Sequence, residues 1–378
     1  MAKKTSAAAL RELKTLERYS KLSLDDKIRQ IRDAETKLDR ERSKHRETKR
    51  KLRQAETDLT INEEKLGTVL CMQDHLADRK IPAAKKRRGK GQASAIICCN
   101  DWHAEQQVAP SLVNGLNEFT KAIAKRRIKR TWEQAVYLIE FARKISKIDE
   151  VILWAGGDLM NGMIHEEYQQ TNWAGPTDAA IFVQQQLVDG IKYLLKNTKC
   201  KNLRFLANHG NHGRATEKKR IHTQWSHSWE YLIYNNVAQA FVGDKRVSSF
   251  IADGPLLNTD IQGHLCRFSH GDTLKFHGGQ AGLMGPANRA LHQWNAHGRA
   301  ELTVIGHFHQ FLTKPGFVAC GSLIGYDPYA AAIRAEAEAP TQTLIVMDAE
   351  HGNIMTTRIF CEDKPNANSH WSTPQFCG

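Results

Sequence analysis

The feature that most constrains the fold is an alternation, after residue 92, of short apolar β-branched runs with longer segments of helical periodicity. Strands of this kind need helices to cover their faces, so the pattern predicts an α/β body of sheets with helices packed on them. We expect seven strands, at residues 95–99, 151–154, 203–206, 265–268, 302–305, 343–347 and 354–359. We expect helices at residues 112–126, 131–145, 179–195, 229–241 and 287–296.

Polar side chains follow five of the predicted strands at the point where each strand ends. They are Asp101 and His103, then Asp158, then Asn211 and His212, then His270, and finally His307 and His309. In an open sheet the ligand site lies beyond the carboxyl ends of the strands, so we expect these side chains to converge. Imidazole and carboxylate ligands without cysteine suit Mn, Fe or Zn. Two such ions about 3.5–4 Å apart activate water and hold a phosphoryl group, so the pattern predicts a dinuclear centre.

The same residues follow a known order of motifs: D-x-H, G-D-x-x-[DN], G-N-H-[DE], a single H, and G-H-x-H. In this chain the motifs read Asp101-Trp102-His103, residues 157–161, Gly210-Asn211-His212, His270 and residues 306–309. Over residues 94–360 the chain therefore resembles the calcineurin-like metallophosphoesterase superfamily, and it is closest in character to the DNA-repair exonuclease-like members. The resemblance implies an α/β fold of the four-layered αββα metallophosphoesterase type, with a dinuclear metal site at the strand ends.

The resemblance also implies a role for each of these side chains. One ion would take Asp101, His103, Asp158 and His309. The other would take Asp158, Asn211, His270 and His307. His212 would face the substrate, and the cofactors would be two divalent metal ions, Mn²⁺ first, with Fe and Zn as alternatives.

The chain departs from the superfamily pattern at Gly213, where members usually carry Asp or Glu. That acid often orients the preceding histidine and raises its pKa, so protonation of the leaving group by His212 is left open here. We expect Arg214 to act as a second catalytic residue that binds phosphate, because its planar guanidinium matches phosphate oxygens.

The duplicated Asn-His-Gly at residues 208–213 makes the register of the third motif ambiguous. We favour Asn211 over Asn208, because Gly210 precedes Asn211 as the pattern requires.

The positive charge of the chain is concentrated before the α/β body. Residues 1–90 hold 26 Lys and Arg against 15 Asp and Glu, whereas residues 91–378 hold 28 against 26. A seven-residue ladder of mostly apolar side chains starts at Leu24 and continues through Ile31, Leu38, His45, Leu52, Leu59 and Leu66. The ladder predicts a long N-terminal helical or coiled-coil segment. Its companion row is half polar, so the oligomeric state stays open.

We divide the chain into a basic helical arm (1–81), a basic linker (82–93), a metallophosphoesterase domain (94–362) and a C-terminal tail (363–378). No run reaches the roughly 18–20 apolar residues that a membrane helix needs, so no membrane partner is expected. The eight cysteines form no C-x-x-C pair, which is typical of reduced thiols and favours a cytoplasmic location.

Three functions are compatible with these features. The first is a DNA nuclease or DNA-processing phosphodiesterase that binds nucleic acid through the basic arm. Basic clusters at 125–130 and 218–220 would add further contacts to nucleic acid. The second is a phosphatase acting on phosphoproteins or small nucleotides, with the arm used for docking to a partner helix or for homo-oligomerisation. The third is a binding module with a vestigial metal site, which the presence of every expected ligand disfavours.

Overall fold

A long helix, α1, runs over Leu24–Ala77. Ser23 caps its first turn: the Ser23 Oγ accepts a hydrogen bond from the Asp26 N–H at 3.2 Å and donates one to the Asp26 carboxylate at 2.7 Å. Leu24, Leu38 and Leu59, three members of the heptad ladder, are each more than half exposed. The predicted N-terminal helix is therefore present, and its coiled-coil pairing stays a prediction.

The computed structural model describes residues 23–77, 91–274, 279–332 and 335–362, together with Lys14, Thr15, Arg18 and Ser20. Most of the predicted basic linker (82–90) and the C-terminal tail (363–378) lie outside these residues. The chain forms two units, Met1–Pro82 and Ala83–Gly378. Within the described ranges, none of the helices combines the length and apolar character that crossing a membrane requires.

The second unit contains two sheets. The first has six strands in the order β11-β10-β1-β2-β3-β4. Strands β1 to β4 are parallel to one another, and β10 is antiparallel to both of its neighbours, β1 and β11. Its strands are β1 (Gln92–Cys99), β2 (Lys147–Ala155), β3 (Asn202–Ala207), β4 (Val247–Ile251), β10 (Thr341–Asp348) and β11 (Gly352–Phe360). The second sheet has the order β5-β6-β7-β9-β8, in which β6, β7 and β9 are parallel. Its strands are β5 (Leu257–Ile261), β6 (His264–Ser269), β7 (Leu302–Ile305), β8 (Leu312–Lys314) and β9 (Phe317–Ala319).

Helices cover the outer face of each sheet. They are α2 (Lys121–Ala142), α4 (Pro176–Asn197), α5 (Trp229–Ala240) and α6 (Gly279–Asn295). Two short helices, α3 (Tyr168–Thr171) and α7 (Pro328–Ala332), lie in the connections between these elements. One buried cluster joins the first sheet to α2, α4 and α5, and another joins the second sheet to α6. A third cluster lies between the two sheets, where Trp154 packs against Phe268 with ring centroids 5.3 Å apart. The order of layers is helix, sheet, sheet, helix, which confirms the α/β class.

All seven predicted strands are present, but the predicted helices 112–126 and 131–145 are one helix. Residues 108–119 do not start it, because the Val108 and Phe119 backbones pair with each other as an isolated bridge. The helix begins after Thr120, whose side chain accepts a hydrogen bond from the Ile123 N–H. Residues 127–130 contain good helix formers and no Gly or Pro, so nothing interrupts α2 there.

Candidate metal centre

The ends of β1, β2, β3, β6 and β7 bring the predicted ligand side chains together. Three overlapping groups of His and Asp each have one donor atom per residue within 4.8 Å of the others. The groups are Asp101, His103 and His309; His103, Asp158 and His212; and Asp158, His270 and His307. Because His103 and Asp158 each belong to two groups, the three form one continuous cluster.

The backbone at these residues adopts an unusual conformation. Eight non-glycine residues in the described chain have positive φ, and five of them belong to the cluster: Asp101, His103, Asp158, His307 and His309. A left-handed non-glycine residue costs on the order of 1 kcal/mol or more. Their concentration at one site indicates that the loops are held in place to aim these side chains inward.

The first group places two imidazole nitrogens face to face. His103 Nδ1 donates to Asn161 Oδ1 at 3.0 Å, which leaves His103 Nε2 without a proton, 3.1 Å from His309 Nε2. His309 Nε2 also lies 3.6 Å from Asp101 Oδ1. Burial lowers the pKa of His103 well below its usual value. A divalent cation would find three ligand atoms here: His103 Nε2, His309 Nε2 and Asp101 Oδ1.

The third group is built around Asp158. His270 Nδ1 donates to the Gly156 carbonyl at 2.8 Å, and His270 Nε2 lies 2.9 Å from Asp158 Oδ2. Burial alone would lower the pKa of His270, but the Asp158 carboxylate raises it to about 10. For His307, burial and then the neighbouring His270 lower the pKa to about 4. One carboxylate therefore faces several imidazoles.

The tandem Asn-His-Gly segment separates into two different environments. Asn208 Oδ1 accepts a hydrogen bond from the Trp154 indole at 3.0 Å, in the core. Asn211 Oδ1 is buried and has no hydrogen-bond partner among the described residues. His212 N–H donates to Asp158 Oδ1 at 2.8 Å, and His212 Nδ1 donates to the Asn161 carbonyl at 2.9 Å. His212 thus belongs to the cluster, Asn208 lies in the core, and Asn211 as a metal ligand stays a prediction.

Arg214 directs its guanidinium to the backbone of its own loop. Its three nitrogens donate to the carbonyls of Asn211, Thr216 and Glu217 at 2.9, 3.1 and 3.3 Å. Burial lowers its pKa. In this arrangement Arg214 shapes the segment that follows His212, and its predicted role as a phosphate ligand stays a prediction.

The donor set fits divalent metal ions. Among the buried polar atoms that lack a hydrogen-bond partner in the described chain are Asp101 Oδ1 and Asn211 Oδ1. An orphaned buried acceptor is costly in a folded protein, and metal coordination is one way to satisfy it. The chemistry of the set, carboxylate, amide oxygen and imidazole without thiolate, matches Mn, Fe or Zn.

Several residues that support the centre were not among the predicted site residues. Asn161 orients His103 through its side chain and His212 through its carbonyl. Glu105 and Glu230 are buried carboxylates that accept hydrogen bonds from backbone N–H groups of the loop after β2, and burial raises the pKa of each to about 7. The only sequence signal for them was the final Asn of G-D-x-x-[DN], at Asn161.

Comparison with known proteins gives a weak structural likeness. No family model and no curated protein matches this chain. Among solved structures it is similar to a crystal structure of a single mutant of Vps29 from Entamoeba histolytica, at 11% sequence identity and a TM-score of 0.27. The alignment covers 70% of this chain and 97% of that chain. At this TM-score the likeness decides nothing about family or function.

Proposed function

We propose that the chain is a dinuclear metal-dependent phosphoesterase of the calcineurin-like superfamily that hydrolyses phosphodiester bonds, with DNA as its substrate. The observation that carries the proposal is the convergence of Asp101, Asp158 and five histidines from five strand ends into one cluster. The order of layers, helix, sheet, sheet, helix, agrees with the fold that the motifs imply.

Three of the proposed ligands are oriented by hydrogen bonds to neighbouring residues. Asp101 Oδ2 accepts a hydrogen bond from the His307 N–H at 2.8 Å, which leaves Asp101 Oδ1 for a cation. His270 is oriented by the Gly156 carbonyl and His103 by Asn161. Asp101, His103 and His309 would hold one ion, and Asn211, His270 and His307 the other, with Asp158 between them. When bound, two divalent ions would lower the pKa of water to about 7 and neutralise charge on the phosphoryl oxygens.

His212 is the residue best placed to handle a proton. Its Nδ1 proton is committed to the Asn161 carbonyl at 2.9 Å, so proton exchange with a substrate must use Nε2. The His212 imidazole packs edge-on against the His103 ring, with centroids 4.6 Å apart, and the His212 backbone N–H donates a hydrogen bond to Asp158. This geometry gives His212 a fixed tautomer beside the metal ligands, as expected of a group that contacts the leaving oxygen.

Basic side chains on the loop that follows His212 and on α1 favour a polyanionic substrate. Lys218 and Arg220 are exposed on the loop that follows His212. On α1, residues 40–53 contain eight Lys and Arg against two acids. In the cluster at 125–130, by contrast, Arg127 is buried and donates to the Leu323 and Ile324 carbonyls, so it is not available to phosphate.

Manganese-dependent cleavage tests the proposal. Labelled single-stranded and double-stranded DNA and a chromogenic phosphomonoester are incubated with the full-length protein, with its Asp158→Asn variant and with Asp244→Asn. Asp244 is a matched control, because its carboxylate pairs with Arg246 at the protein surface. We expect DNA cleavage that needs Mn²⁺, is lost in Asp158→Asn and is retained in Asp244→Asn. If the phosphomonoester is cleaved and neither form of DNA is cut, the nuclease proposal is refuted and a phosphatase is supported instead.

The role of the arm is tested by salt dependence. Each phosphate contact contributes about −0.9 to the slope of log affinity against log salt for duplex DNA. Replacing Lys49, Arg50, Lys51 and Arg53 by glutamine in the full-length chain should therefore make this slope less steep by up to about 3.6, measured by fluorescence anisotropy with EDTA present. An unchanged slope would exclude this part of α1 as a DNA contact.

A further inference from the structure

A buried carboxylate on α5 connects the two loops that carry Asp158 and Asn211. Glu230 Oε1 accepts hydrogen bonds from the Leu159 N–H at 2.6 Å and the Met160 N–H at 3.4 Å. Glu230 Oε2 accepts one from the Gly210 N–H at 2.7 Å. Leu159 directly follows Asp158, and Gly210 directly precedes Asn211. One side chain therefore sets the distance between two loops that come from different strands.

Glu230 occupies space that exists because residue 213 is glycine. A Cβ placed on Gly213 would lie 2.6 Å from Glu230 Cγ and 3.0 Å from its Cδ, closer than side chains approach in proteins. Gly213 has no positive φ, so its backbone does not itself demand glycine. The steric reason for a glycine at this position is the Glu230 side chain.

The start of α5 is attached to the same segment by its backbone. Trp229 N–H donates to the Gly213 carbonyl at 2.8 Å, and Ala215 N–H donates to the His227 carbonyl at 2.7 Å. These bonds deliver Glu230, in the first turn of α5, to the loop that carries Asn211 and His212. A buried carboxylate thus stands next to residue 213, where the motif usually has an acid, although its oxygens accept from the Leu159, Met160 and Gly210 N–H groups and not from His212.

We propose, on the basis of the proposed metal-dependent function, that Glu230 is a positioning residue that holds the Asp158 and Asn211 loops at the spacing that metal binding requires. In this proposal a carboxylate at residue 213 can take the place of the carboxylate at residue 230, provided that only one of the two positions carries it. Glu230 does not touch the ligands themselves. It acts through the backbone N–H groups next to them, whose positions decide where Asp158 and Asn211 place their oxygens.

The first test uses Glu230→Gln, which preserves shape but replaces one acceptor oxygen by an NH₂ group facing an N–H donor. In metal-free protein we expect faster hydrogen exchange in residues 157–162 and 208–213, measured by mass spectrometry. We expect Mn²⁺ affinity, measured by calorimetry, to fall about 10–100-fold, as it does when residues that support metal ligands are changed. Catalysis should show a fall in kcat with KM for DNA nearly unchanged. Glu140→Gln is the control, because Glu140 is an exposed acid that pairs with Arg143 on α2.

The second test exchanges the pair. Glu230→Ala should lose Mn²⁺ affinity, and Gly213→Glu alone should also lose it, because the two side chains collide. The double variant, Gly213→Glu with Glu230→Ala, should bind Mn²⁺ more tightly than either single variant. A double variant no better than the two singles would overturn the exchange of roles between residues 213 and 230.

The outcomes separate this proposal from the function on which it rests. Wild-type protein that neither binds Mn²⁺ nor cleaves DNA would overturn the proposed function, while hydrogen exchange would still decide whether Glu230 holds the loops. Mn²⁺ affinity and hydrogen exchange that are unchanged in Glu230→Gln would overturn the positioning role in a protein that binds Mn²⁺ normally. A large fall in the Tm of Glu230→Gln in EDTA would show that the carboxylate serves overall stability instead, which also overturns the proposal.

Discussion

The close approach of two loops at Gly157 gives the sharpest prediction. Gly157 has φ +88°, and a Cβ placed on it would lie 2.4 Å from the Gly210 nitrogen and 2.9 Å from His270 Nδ1. The nitrogen belongs to the backbone of the Asn211 loop and cannot swing aside as a flexible side chain would. An ordinary contact is 3.4 Å or more, so Gly157→Ala must separate the two loops by about 1 Å.

The substitution of Gly157 by alanine has two costs in stability. The left-handed backbone adds on the order of 1 kcal/mol for any L residue other than glycine, and forcing an extra methyl into a packed site costs about 1–3 kcal/mol. We therefore expect Gly157→Ala to lower the free energy of unfolding by about 2–4 kcal/mol. A shift of about 1 Å at a catalytic site lowers kcat on the order of 100-fold.

A matched control separates the two costs. Gly263, in the turn between β5 and β6, has nearly the same φ, +87°, but no atom lies within 4 Å of a Cβ placed there. Gly263→Ala should lose only about 1 kcal/mol of stability and keep its activity. Urea unfolding in EDTA gives the stabilities, and Mn²⁺-dependent DNA cleavage gives kcat. Equal effects of the two substitutions on stability and kcat would refute the close-approach argument.

Three further predictions concern the cluster and the core. Mn²⁺ binding at pH 7 should release protons, because His270, with its pKa raised to about 10, must become neutral to bind metal. The calorimetric enthalpy should then differ between buffers of different ionisation enthalpy, and identical enthalpies would contradict this. Asn161→Ala should weaken Mn²⁺ binding about tenfold or more, because His103 loses the hydrogen bond that fixes its ring and can rotate. Unchanged binding would show that this hydrogen bond is not needed to orient His103. Arg127→Met should lower the free energy of unfolding by about 3–5 kcal/mol, since buried carbonyls lose their donor. The exposed Lys129→Met should change it little, and similar losses in urea unfolding would contradict the buried role.

The sequence predicted the α/β class and the strands that carry the cluster because both have local signals. Central strands are almost entirely buried and therefore appear as mostly apolar runs, as in β1 and β7. The strands it missed lie at or next to the edges of the sheets. The pattern of β4 is largely exposed, and β8 and β9 have three residues each, so none of them carries a run long enough to recognise.

The conformations that aim the ligands had no signal in the sequence. Positive φ is usually predicted from glycine, yet it occurs here at Asp101, His103 and His309, which are held by contacts with distant residues. Asp101 N–H, for example, donates to the Gly157 carbonyl at 3.0 Å, and His103 N–H donates to the Asp158 carbonyl at 3.1 Å. These bonds join the ends of β1 and β2, so the loop geometry is a property of strand pairing and not of the D-x-H motif.

The absent acid at residue 213 shows the limit of reading a site by motif position. A motif records which residue type stands at a given place along the chain, whereas hydrogen bonding requires only that a carboxylate reach certain N–H groups. With glycine at 213, the Glu230 carboxylate can reach the Gly210 and Leu159 amides from the start of α5. A motif comparison scores this arrangement as the loss of a catalytic feature. In three dimensions a buried carboxylate stands beside residue 213, and Gly213, the apparent defect, is the residue that makes room for it.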